Sequence, residues 1–311
     1  MLLYAPAVLL PMSDRVPSLP LRPSHPVAAG AAPAPVLRAE RATKNMDAFA
    51  DTYLNAIVIF TLGVALSVVG LIWVRQRVHI DSLMENHEVG GYMLSVVGTM
   101  YAVLLGLVVV DAMTRFQEAR NIVEAEANSL ADVFVLSRRF PPEKQKKIEH
   151  LCLDYVTEVT QVEWPMMDGA NKSFKARKMV FDLIHEVIDF EPVTESQKAI
   201  YPMAVESVTN LWDNRRARTN ISDNGMPVEE WVVLVLGAAV CSVFSYFFGL
   251  KNLKAQIIMT ALCSTLIALN LFLVLMFGYP FSGDMKIKPD ALVVDRLIFE
   301  RVLGISNSYQ M

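Results

Sequence analysis

Cysteine is scarce in this chain: Cys152, Cys241 and Cys263 are the only three among 311 residues. With no paired spacing, they exclude a disulfide framework and a cysteine-based zinc cluster. Charge is scarce too, at 19% Asp, Glu, Lys and Arg, against roughly 25% in ordinary globular proteins. Neither sign dominates, since the formal net charge is −4. A nucleic-acid partner needs a basic face, so that class is set aside. Catalytic motifs are missing as well: there is no glycine-rich phosphate loop, no Gly-x-Ser-x-Gly elbow and no His-Glu-x-x-His. The nearest metal-like spacings are His150 with Asp154 and His185 with Asp189. Each pair sits one helical turn apart and lacks a third ligand, so both read as partners on solvated helix faces. The expectation is a protein that is not an enzyme and holds no metal or cofactor.

What the chain has in excess is apolar sequence. Hydrophobic residues make up 53% and mean hydropathy is +0.36. Four runs, Leu54 to Val74, Gly91 to Val110, Trp231 to Leu250 and Ile257 to Phe277, contain no Asp, Glu, Lys or Arg. Each has the length of about 20 residues that a helix needs to cross a bilayer. They come as two close pairs, the first joined by residues 75–90 and the second by 251–256. Between the pairs, residues 111–230 carry 15 Lys+Arg against 21 Asp+Glu, which marks an aqueous region. The expected fold is therefore an all-α polytopic membrane protein, with four transmembrane helices in two pairs and a helical soluble domain inserted between spans two and three.

The domain plan follows. Residues 1–45 hold eight prolines among Ala and Ser, a spacing that defeats helix and strand; the stretch reads as a disordered leader. Two alternatives stand beside that: a poor secretory signal, or translation starting at Met46. Residues 46–110 are the first transmembrane pair, 111–230 the soluble domain, 231–278 the second pair and 279–311 a C-terminal tail. From Gly91 no proline occurs before Pro141, so the second span is expected to run on as one helix of about 50 residues and about 75 Å. A further helix is expected from Glu143 to Trp164, broken at Trp164-Pro165, and another from Ser173 to Phe190. A capping box at Thr194 to Gln197 opens a last one through Trp212. By count, Lys and Arg near span ends put the soluble domain and both termini in the cytoplasm, although the charge density of the short connections competes.

The second span carries the most informative pattern. Gly98, Ala102 and Gly106 recur every four residues beside Ser95 and Thr99, giving a face small enough for close helix approach. That face fits tight helix packing, and equally the wall of a pore formed by several copies. Asp111, Arg115 and Glu118 follow at the membrane edge, either as interfacial anchors or as a charged vestibule. Asn270 is an amide deep in the fourth span, expected to seek an interhelical hydrogen bond or to take part in conduction.

These residues also carry a resemblance. His87-Glu88-Val89-Gly90-Gly91 leads into Gly98-Thr99-Met100-Tyr101-Ala102-Val103-Leu104-Leu105-Gly106; Val123 to Leu130 reads VEAEANSL, and Pro280-Phe281-Ser282-Gly283 follows the last span. The combination resembles the bestrophin-like family of bacterial four-span membrane proteins, over roughly Asp47 to the C-terminus. One departure is Met113, where the family pattern has Trp. The resemblance implies the fold, and with it a homo-oligomer in the bacterial inner membrane. Bestrophins proper are pentameric anion channels whose second transmembrane region lines the pore. An oligomeric ion channel is thus the leading expectation. Its rivals are a structural or regulatory membrane protein whose helical domain docks a cytoplasmic partner, and a stator-like subunit of a proton-driven complex.

Overall fold

The computed structural model describes residues 53–79, 87–169, 171–283 and 285–305. The leader, the Met46 start and the end of the tail lie outside the described residues. Every element among the described residues is helical: α1 (Tyr53–Arg77), α2 (His87–Leu136), α3 (Pro142–Glu158), α4 (Trp164–Met167), α5 (Phe174–Ile188), α6 (Glu195–Asp223), α7 (Val228–Tyr246), α8 (Leu253–Gly278) and α9 (Asp290–Val302). Four of them, α1, α2, α7 and α8, are long and apolar enough to cross a membrane. Their outer faces expose Leu66, Met100, Leu236 and Leu262. In water such a surface would associate; in a bilayer it faces a solvent of its own polarity.

α2 is the spine. It runs unbroken for 50 residues, through the membrane-spanning bundle and into the aqueous body. In the bundle, Tyr101 and Leu105 pack with Leu234 and Cys241 of α7 and with Leu271 and Val274 of α8. Phe60 of α1 meets Phe272 edge-on at 6.1 Å. In the aqueous body Val123, Ala127, Leu130 and Phe134 of α2 join Tyr155 and Val156 of α3, Val180 and Leu183 of α5, and Val208 and Leu211 of α6.

Three features depart from the expected plan. Trp164-Pro165 does not break the chain: α3 passes through a π turn at Val159–Glu163 straight into α4, with Trp164 N–H donating to Val159 O and Pro165 following as the second residue of α4. α6 runs on past Trp212 to Asp223. Its last three turns look polar, yet Arg215 and Arg218 are buried there. Residues 279–305 are more than a tail, since α9 packs on α2 and α3 with Phe299 stacked on Phe134 at 4.0 Å. The capping box is formed, with Gln197 N–H donating to Thr194 Oγ1 at 3.2 Å and Thr194 N–H donating to Gln197 Oε1 at 3.1 Å.

Candidate functional site

Helical periodicity divides the membrane part of α2 into three faces. Tyr101, Leu105 and Ala112 are buried, with Val97, Leu104 and Val108 half-buried beside them, and together they pack inside the chain. Val96, Met100, Val103 and Leu107 form a bulky exposed face. Between these two lie Ser95, Thr99, Ala102 and Gly106, all exposed, with Gly98 half-buried at the edge of the packed face. A Cβ added at Gly98 or at Gly106 would have no neighbour within 4 Å. Among the described residues the small set therefore packs against nothing, and the Thr99 hydroxyl is satisfied locally by donating to Ser95 O at 2.7 Å.

The glycines that do allow close packing are others. A Cβ at Gly237 would overlap the Tyr101 ring, one at Gly225 would overlap the Tyr279 ring, and one at Gly70 would stand 2.9 Å from the Tyr246 hydroxyl. Tyr101 also donates to Leu234 O at 3.0 Å, so this motif residue locks α2 to α7. The Pro280-Phe281-Ser282-Gly283 segment is a turn: Ile287 N–H donates to Pro280 O at 2.8 Å, and Gly283 takes a φ of 77°. Phe281 is buried edge-on against Trp164 at 5.9 Å. His87 and Glu88 begin α2, and Gly90 lies within its first turns.

At the end of the membrane-spanning stretch Arg115 Nε donates to Asp111 Oδ2 at 2.6 Å, and its Nη2 reaches Glu230 Oε1 of α7 at 3.4 Å. Glu118 is exposed. Asp111 follows Gly106 by five residues, about 140° round the helix at 100° per residue, so the charged set and the small set occupy different faces. Asn270 donates to Leu266 O of its own helix at 2.9 Å; the amide is served inside α8.

The densest chemistry lies deeper in the aqueous body, at residues not singled out by spacing. Arg218, Glu126 and Glu163 are all 0% exposed and Arg215 is 3% exposed. Arg218 donates through Nε to Glu126 Oε2 at 2.5 Å, and through Nη2 to Glu126 Oε1 at 3.0 Å and Glu163 Oε1 at 2.8 Å. Arg215 Nη2 donates to Glu163 Oε2 at 2.5 Å. Tyr155 donates to Glu126 at 2.5 Å, and the Arg218 guanidinium lies 5.0 Å over the Trp164 ring. Burial alone would lower the pKa of Arg218, but the Glu126 and Glu163 carboxylates outweigh it and hold the guanidinium charged more firmly than usual. Burial, helped by Glu126, pushes the Tyr155 hydroxyl well up. Nearby, burial pushes Glu158 up while the Ser173 hydroxyl and Lys175 more than reverse it, leaving the carboxyl below its usual range. Two cations face two carboxylates, so the cluster is neutral and ties α2, α4 with its π turn, and α6 together. Among the described residues no group of three or more His, Cys, Asp or Glu is placed to hold a metal ion.

A family model described as a bestrophin-like domain matches residues 61–292, three quarters of the chain and all of the α2 and Pro-Phe-Ser-Gly motifs. The chain belongs to the bestrophin-like family. Solved structures agree in fold. A single-site variant of a bacterial bestrophin homologue from Klebsiella pneumoniae is 13% identical, with a TM-score of 0.60 over 79% of this chain and 99% of that one. A second structure of a bestrophin homologue from the same organism, phased on zinc, is 12% identical with a TM-score of 0.57 over 81% and 98%. At such identities the likeness is one of fold. No curated protein matches. In this bestrophin-like membrane protein, none of the described residues covers the small face of α2.

Proposed function

We propose that this bestrophin-like protein is an oligomeric ion channel, selective for anions, in which the small face of α2 borders the conduit. The observation that carries the reading is the three-way division of α2. One face is spent on α7 and α8 and one is bulky enough for lipid. The third, Ser95, Thr99, Ala102 and Gly106, is small, partly hydroxylated and left open by the described residues. Small and hydroxylated residues leave room and do not repel water. That role matches the second transmembrane region of bestrophins proper, which form pentamers, and five copies is the number proposed here. Asp111, Arg115 and Glu118, offset around the helix, would stand at the mouth between neighbouring copies. The excess of Lys and Arg near the other span ends over the four beside the short connections (Arg75, Arg77, Lys251, Lys254) supports an inner-membrane location with the aqueous body in the cytoplasm.

The test is ion flux through purified protein in liposomes, under chloride and potassium gradients. Gly106→Leu is the informative variant, because Gly106 is exposed on the small face, the space around it is open and the fold has no reason to reject the larger side chain. The expected outcome is chloride flux in the parent and at least a tenfold loss in a folded, still oligomeric variant. Equal flux in both would remove the small face from the conduit. Absence of flux in a folded, oligomeric parent would favour partner docking by the aqueous body.

A further inference from the structure

The bundle contains a second feature, away from the small face of α2. Between α1 and α7, with α8 as its floor, lies a cleft of about 260 Å³. Its walls are Phe60, Gly63 and Val64 on one side and Ala238, Ala239 and Val243 on the other. Leu66 and Val243 at its rim are 72% and 49% exposed, so the cleft opens sideways, towards the bilayer. Its floor is polar. Ser67, Tyr246 and Ser264 are all buried, with Ser264 Oγ 2.8 Å and Tyr246 Oη 3.3 Å from Ser67 Oγ. Ser67 stands eight residues before Arg75, about 12 Å at 1.5 Å per residue, so the cluster sits within the apolar layer.

The chemistry of the cleft narrows its occupant. Besides the Ser242 hydroxyl in the α7 wall, the three floor hydroxyls bring three O–H donors and six lone pairs, and their two mutual contacts use two donors. One O–H and several lone pairs remain for a guest. No charged side chain lines the cleft, so an ionised head would be left unpaired in a medium where that is costly. Phosphate and carboxylate headgroups are thereby excluded. Water alone suits a polar chamber, whereas most of this lining is hydrocarbon. The volume accepts a short carbon chain and is far too small for a helix of a second copy.

We infer that this cleft is a binding site for a neutral, membrane-soluble amphiphile. Its single hydroxyl or other uncharged hydrogen-bonding group meets Ser67, Ser264 and Tyr246, and its hydrocarbon lies along Phe60, Val64 and Leu271. The site is independent of the conduit and stands whether or not the protein conducts.

The probe is a diazirine-bearing octanol, photolysed with the purified full-length protein in nanodiscs and followed by peptide mass spectrometry. Adducts are expected on the α1, α7 and α8 peptides that line the cleft, displaced by excess 1-octanol and several-fold less by n-octane at equal membrane concentration. The triple variant Ser67→Ala, Ser264→Ala, Tyr246→Phe removes all three floor hydroxyls and no packing carbon, leaving no freed donor on the floor; it is expected to lower cleft labelling about fivefold, the size of one net hydrogen bond. Ala239→Phe, at an exposed wall position, fills the cleft and is expected to abolish labelling while helicity and elution volume are unchanged. Adducts spread over all lipid-facing surfaces, equal displacement by octane, or unchanged labelling of the triple variant would each overturn the assignment. So would an unlabelled cleft, whether a neighbouring copy covers it or it stays empty.

Discussion

Replacing Arg218 by Met removes the side chain that bridges Glu126 and Glu163, the two fully buried carboxylates of the aqueous body. Met approximates the aliphatic volume of Arg, so the change is chiefly one of charge. Glu126 loses its two guanidinium contacts at 2.5 and 3.0 Å and keeps only the Tyr155 hydroxyl, while Glu163 retains Arg215. An ion left unpaired in the interior costs about 3–5 kcal/mol. At about 2–4 °C per kcal/mol for a body of this size, the apparent Tm should fall by about 10 °C, read by tryptophan fluorescence and far-ultraviolet dichroism in detergent. The double variant Arg218→Met, Glu126→Gln leaves the neutral Arg215–Glu163 pair and an amide that still accepts from Tyr155. It should regain at least half of the loss. A single variant as stable as the parent, or a double variant no better than the single, would refute the view that this cluster is held by charge pairing.

Two further predictions concern packing and titration. Gly237→Ala drives a Cβ into the Tyr101 ring and should cost about 1–3 kcal/mol in detergent unfolding; Tyr101→Ala in the same chain makes room, so the double variant should lose less than the sum of the two singles. Burial pushes the Asp295 carboxyl up to about 6, above the value of about 3.9 in an unfolded chain, so its ionisation costs the fold increasingly as pH rises from about 4 to about 6. Asp295→Asn should therefore stabilise by about 1 kcal/mol at pH 7, a figure reduced because the side chain is partly solvated, and the gain should vanish near pH 4; an equal gain at both pH values would place the effect elsewhere.

How far the sequence revealed all this depended on whether the physics was local. The continuity of α2 follows from fifty residues without proline, and the start of α6 from two side chains three residues apart in the capping box. The buried cluster was not legible. Arg218 looks like one of three arginines on a solvated helix, because its partners Glu126 and Glu163 lie 92 and 55 residues away. The same distance hid the end of α6, whose apolar pattern stops at Trp212 while its burial does not. The VEAEANSL motif, with Glu126 at its centre, was the available signal, since an acid inside an apolar stripe is out of place unless something answers it. Glycine misled in the other direction. Gly98 and Gly106 advertise close packing by their spacing and pack against nothing in the chain, whereas Gly225 and Gly237 have no spacing at all and each faces a tyrosine from a distant segment.

α2 is clamped twice, by different chemistry at different depths. In the membrane Tyr101 is seated on Gly237 and bonded to Leu234 of α7. About 38 Å further along, by 25 residues at 1.5 Å, Glu126 is bonded to Arg218 of α6, the helix that leads into α7 through residues 224–227. Sliding or rotating α2 against the α6–α7 arm would have to empty the tyrosine seat and separate buried ions in one step, and a partial movement would leave one of them broken with nothing gained. The two clamps therefore make α2, α6 and α7 a single lever. If the small face of α2 changes its exposure during function, the economical movement is of whole subunits against one another, with Ser95, Thr99, Ala102 and Gly106 carried along on a rigid support.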